Sequence, residues 1–124
     1  MTVKELSSAL FDECGKCLDR FYAMREKDAV PDFYKDVKPY ADYWHEKINE
    51  WQRESLLYIQ QERPKYAHKP TIDTAAEGMA QVFVQSFYKE TSKKRFVQTI
   101  QAAQYTLQTL MLAIDEIDEK GEDR

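Results

Sequence analysis

Apolar residues along this chain recur at alternating steps of three and four, the spacing that lines up side chains on one face of an α-helix. Over residues 3–27 the stripe is Leu10, Cys14, Cys17, Phe21 and Met24, flanked by Leu6 and Leu18. The stretch DAVPDFYKDVKP, with Pro31 and Pro39, interrupts it. A second stripe of Val37, Ala41, Trp44, Ile48, Trp51, Ser55 and Tyr58 predicts a helix over 36–62. Pro39 must lie in its first turn or mark a kink, because a mid-helix proline loses a hydrogen bond and clashes with the turn before it. PKYAHKP, bracketed by Pro64 and Pro70, reads as a connector. Ile72, Ala76, Met79, Phe83 and Phe87 predict a third helix over 72–88, with TAAE (Thr74 to Glu77) in the form of a capping box. Thr91 or Ser92 suits the N-cap of a fourth helix over 92–118. Its stripe is Phe96, Ile100, Ala103, Leu107, Leu110, Met111, Ile114 and Ile117, followed by a frayed acidic tail at 119–124.

Four amphipathic helices with short connections, and no competing strand pattern, predict an all-α fold. The expected form is an up-and-down antiparallel four-helix bundle, one domain over 1–124. Composition agrees: 43% hydrophobic and 32% charged residues belong to a globular chain. Three Gly and four Pro leave few turns, and eight Tyr, six Phe and two Trp allow a large-sided core. A net charge of −4 argues against a general nucleic-acid binder, which carries a basic face. The start, MTVKELSSALFDE, has acids where a secretory signal needs an apolar region. No apolar run is long enough to cross a bilayer, and two cysteines make no disulfide framework, so the expected compartment is the cytoplasm.

Four stretches carry a resemblance: VKPYADYWHEKINEW, ERPKYAH, QSFYKETSKKRF and QYTLQTL. In order and spacing they resemble the YppE-like family of small cytosolic proteins from Gram-positive bacteria related to Bacillus. The match spans roughly Phe33 to Leu112, about two thirds of the chain. The resemblance implies a four-helix bundle and no activity, since the family is one of unknown function.

CGKC, residues 14–17, lies outside those stretches and raises the question of thiol chemistry. A thioredoxin-type cysteine starts a helix after a strand, where the helix N-terminus lowers its pKa. Cys14 instead falls about eleven residues into a helix with no strand before it. Positions i and i+3 hold Cβ atoms about 5–6 Å apart, whereas a disulfide needs about 3.8 Å. Structural zinc needs four ligands, and no second cysteine pair exists. Both cysteines therefore read as packing positions. Gly15 between them, off the stripe, has no packing reason in the pattern.

Di-iron bundles use Glu-x-x-His pairs on two helices plus a Glu from each of the others. This chain has two histidines, His45 in Asp42-x-x-His45 and His68 in the connector, so no metal and no cofactor is expected. Lys93, Lys94 and Arg95 crowd the first turn of the fourth helix, where the macrodipole disfavours cations. They could hold phosphate, a nucleotide or an acidic partner. The turn carrying Glu26, Asp28, Asp32 and Asp36 is expected at the same end, and ordinary surface neutralisation weighs more. Arg63, Tyr66 and His68 form the second cluster, on the stiff connector at the opposite end. The two clusters cannot make one compact site. Trp44 and Trp51 read as core, while Tyr34, Tyr43 and Phe11 fall off their stripes and could make a partner patch.

No Gly-rich phosphate loop and no nucleophile with a placed histidine occurs, so no catalytic residue is assigned. The leading reading is a non-enzymatic binding or regulatory module acting by protein–protein contact. A binder of a small anion at the fourth helix N-terminus is the alternative. An enzyme built on Arg63, Tyr66 and His68 comes last. No nucleic-acid or membrane partner is expected. No second continuous stripe demands a homodimer, which leaves the oligomeric state open.

Overall fold

The computed structural model describes residues 1–122, so the last two residues of the expected frayed tail lie outside the described residues. Four helices make up the fold: α1 (Val3–Glu26), α2 (Lys38–Glu62), α3 (Lys69–Gln85) and α4 (Lys93–Glu122). A π-helical turn, Phe33–Val37, leads directly into α2. No strand occurs among the described residues. Cross-links set each neighbouring pair antiparallel. Cys17 meets Tyr40 and Trp51 meets Ser7 between α1 and α2, while His45 meets Ala80 and Gln52 meets Asp73 between α2 and α3. Lys4 pairs with Asp115, and Phe21 stacks on Phe96, between α1 and α4. The all-α up-and-down bundle read from the stripes is the fold.

Each helix end has a local cause. Thr2 caps α1 by accepting from the Glu5 N–H, and the Glu5 carboxylate accepts from the Thr2 N–H in return. Asp28, at φ 50°, closes the other end of α1: its N–H bonds Arg25 and the Ala29 N–H reaches back to Met24, a Schellman pair. The π turn explains Pro39. In a regular helix its ring would press on the carbonyl four residues earlier. The Lys38 N–H reaches instead to the Phe33 carbonyl five residues back, which widens the turn ahead of the proline. Pro39 thus lies in the first turn of α2.

The third helix departs most from expectation. It starts at Lys69 rather than 72, because Pro70 opens it instead of closing the connector; a first-turn proline has no N–H that the helix would need. His68 is its N-cap, with the Thr71 hydroxyl donating to the His68 carbonyl at 2.7 Å. The expected capping box at Thr74–Glu77 is helix interior, and α3 ends at Gln85 rather than 88. In α4 helix continues to Glu122, through residues expected to fray.

The core is one cluster drawn from all four helices. Trp51, Phe21, Phe83, Phe96, Ile100, Leu107 and Leu110 are fully buried in it. Trp44 and Phe11 pack against its edge half-buried, so Phe11 leaves the patch expected with Tyr34 and Tyr43, both of which are exposed. Helix lengths decide the outer shape. The 17 residues of α3 give about 25 Å and the 30 of α4 about 45 Å. Gly78 lies against Thr99, so the C-terminal half of α4 runs past the start of α3 and meets the connector instead.

Candidate functional site

Cys14 and Cys17 are free and fully buried among the core side chains. Burial pushes both thiols up, away from the reactive thiolate. Cys17 belongs to a polar network that links three helices. The Tyr40 hydroxyl donates to the Glu13 carboxylate at 2.5 Å and lies 3.1 Å from the Cys17 sulfur. Arg20 donates to Ser86 at 2.9 Å, lies 3.5 Å from Glu13, and stacks between the rings of Tyr40 and Phe87. Burial, then the neighbouring Cys17, raises the Tyr40 phenol. The network fixes the start of α2 and the end of α3 onto α1. Every polar side chain in it has a partner, and its chemistry is that of a packed structural cluster.

At the end of the bundle where α4 starts, the three cations diverge. Lys93 lies over the Tyr22 ring of α1 at 5.5 Å. Arg95 lines a polar hollow on the α3 side with Gln81, Gln85, Thr91, Ser92, Gln98 and Thr99. Lys94 is exposed and lines neither. The acidic turn at this end is met by Lys89, which bonds Asp28 at 2.5 Å; that ion pair and its hydrogen bond hold the Asp28 carboxyl below the usual range. Lys93, Lys94 and Arg95 therefore do not converge on one anion-sized point.

The connector cluster does converge. Pro64 and Ala67 are buried and pin residues 63–68 to the bundle end, which leaves Arg63, Lys65, Tyr66 and His68 exposed. Arg63 ends α2 in the left-handed conformation, φ 48°. Tyr66 and His68 line a groove of about 470 Å³ whose other wall is α4, through Tyr105, Thr109, Leu112 and Glu116. Arg63 and Lys65 line a smaller adjoining hollow of about 180 Å³ with Ile117 and Lys120. Tyr66, Ala113 and Glu116 border both. Tyr66 is 72% exposed, Tyr105 73% and Leu112 62%, a concentration of bare apolar side chains around one groove. The overhang of α4 past the shorter α3 creates it.

With this geometry, comparison with known proteins is decisive for the family. The model of the "Bacterial domain of unknown function (DUF1798)" matches residues 7–114. The chain belongs to the DUF1798 family. It is 27% identical over 106 residues to the uncharacterized protein YppE of Bacillus subtilis strain 168, covering 86% of each chain. The crystal structure of YppE superposes with a TM-score of 0.90 at 26% identity, covering 94% of this chain and 95% of the other. A Listeria innocua protein of unknown function shares the fold, with a TM-score of 0.89 at 23% identity over 96% and 95% of the two chains.

Within this DUF1798 chain the residue types of the proline-bracketed connector pointed to Tyr66 and His68, while the stripes gave no sign of the α4 wall. Tyr105, Thr109, Leu112 and Glu116 step by four, three and four, one face round from the core stripe. Two large apolar residues seven apart on that face were the available signal. Ser55 is buried on the second stripe, while Glu13, Ser7 and Ser86 are the buried polar residues that the pattern gave no sign of.

Proposed function

We propose that this DUF1798 chain is a non-enzymatic binding module that docks a partner protein in the groove between the connector and α4. One observation carries it: Tyr66, Tyr105 and Leu112 converge on the same concave surface while remaining more than half exposed. Tyrosine is enriched at the centres of protein interfaces because a large, stiff, amphipathic ring gains contact area at small entropic cost. The reading places regulation in occupancy of this groove, with the cytoplasm as the proposed compartment; among the described residues no helix is long and apolar enough to cross a membrane.

A photo-crosslinking amino acid placed at Tyr66 or Tyr105 tests the reading in cells that naturally produce the chain. The same probe at Asp19, exposed on α1, serves as control. One discrete adduct with another protein from both groove positions and none from Asp19 is expected. Adducts of equal yield at all three positions, or none at either groove position, would refute docking there.

A further inference from the structure

The groove has two lobes of different chemistry, and their order along α4 describes what fits. Tyr66, Tyr105, Leu112 and Ala113 make the larger lobe apolar. The smaller lobe is bordered by Arg63 and Lys65, with Lys120 opposite. Residues 63–69, RPKYAHK, hold three cations and no carboxylate, in a chain whose net charge is −4. Lys69 is occupied by Asp73 at 2.6 Å, and Lys120 lies 3.4 Å from Glu116, which neutralises the carboxylate bordering both lobes. Asp118 acts on the other side of α4, toward Lys4 and Tyr58. Among the described residues no ion pair occupies Arg63 or Lys65. Glu62 is the one acid of the rim with no such counterion, against two free cations.

Resting on the docking reading above, we infer that the occupant is a short linear acidic segment of a partner protein. An apolar or aromatic side chain enters the lobe at Tyr105 and Leu112, and carboxylates beside it meet Arg63 and Lys65. From Tyr105 to Lys120 the helix rises about 22 Å, the reach of roughly six or seven extended residues. Charge complementarity selects the sign of the segment and speeds encounter, and the apolar anchor supplies the affinity.

The probe is a displayed library of random twelve-residue peptides, panned on the whole chain. Peptides recovered are measured by fluorescence polarisation against wild type, Tyr105→Lys and the double variant Arg63→Glu/Lys65→Glu. All three substituted positions, Arg63, Lys65 and Tyr105, are exposed, and circular dichroism checks that each variant is folded. Expected are peptides combining a bulky apolar residue with two or more Asp or Glu. Their binding should vanish with Tyr105→Lys and weaken about tenfold or more with the charge reversal, more steeply at low salt. Peptides lost with Tyr105→Lys but indifferent to the charge reversal would overturn the acidic segment and keep docking. Peptides indifferent to Tyr105→Lys, or no enrichment at all, would overturn both.

Discussion

A Cβ added at Gly15 meets no heavy atom within 4 Å, whereas one added at Gly78 comes to 3.0 Å from the Thr99 methyl group. Neither glycine has a positive φ, so backbone strain does not distinguish them. At Gly15 alanine therefore acts only through helix propensity and the entropy of the unfolded chain, and should stabilise by about 0.5–1 kcal/mol. At Gly78 the methyl would have to push Thr99, whose hydroxyl is committed to the Arg95 carbonyl at 2.8 Å. Gly78→Ala should gain nothing and destabilise by roughly 1 kcal/mol as α3 and α4 are forced apart. Urea denaturation of the two variants gives the two signs directly.

The cysteines make a second prediction at this scale. Burial raises both thiols above their unfolded value of about 8.5, so above that pH the unfolded chain loses protons that the native chain keeps. Their contribution to stability is whole below about pH 8.5 and declines as pH rises toward the folded values, by up to about 1.4 kcal/mol per cysteine per pH unit. Denaturation midpoints at pH 7.5, 8.5 and 9.5 should fall faster in wild type than in Cys14→Ala, after allowing for the cavity that variant leaves.

Between helices, the decisive pieces are those the hydrophobic stripes do not encode. Periodicity identifies α1, α2 and α4 because each presents a regular apolar face, and burial of that face is what makes the helix. It misplaces α3 because Pro70 reads as a terminator unless the helix is known to begin at Lys69. It also says nothing of Glu13, one position before Cys14 and buried through partners off the stripe: Tyr40 from α2 and Arg20 two turns on. That network sets the register of α1 against α2, and it can be taken apart. Tyr40→Phe leaves the Glu13 carboxylate short of a donor and should cost about 1–3 kcal/mol. Arg20→Leu removes the counterion of a buried carboxylate and should cost about 3–5 kcal/mol. Glu13→Leu together with Arg20→Leu should lose much less than Arg20→Leu alone, because no unpaired charge is left inside. The sign of that difference in a double-mutant cycle decides whether Arg20 acts on Glu13 or only packs between Tyr40 and Phe87.

Over the whole molecule, the groove follows from unequal helix lengths rather than from any motif. A chain read one helix at a time shows where each stripe lies, but not that α4 continues past α3 and leaves Tyr105 and Leu112 facing a connector. Nor does it show that Lys93 and Arg95 point to opposite sides of α4, which only the placement of Tyr22 and Gln81 around that helix determines. If the groove serves a partner, its side chains should contribute little to holding the bundle together. Tyr105→Lys with Leu112→Lys replaces two mostly exposed apolar residues on an ordinary helix surface. Their effect on unfolding free energy should stay within about 0.5 kcal/mol apiece, as for surface substitutions generally. Leu107→Ala and Leu110→Ala, on the same helix but fully buried, should each cost about 2–5 kcal/mol through lost burial and the cavity left behind. Urea unfolding of the two sets, compared at unchanged m-value, measures the division. A large loss from Tyr105→Lys would mean that the aromatic holds the connector down, and its exposure would then serve the fold instead of a partner.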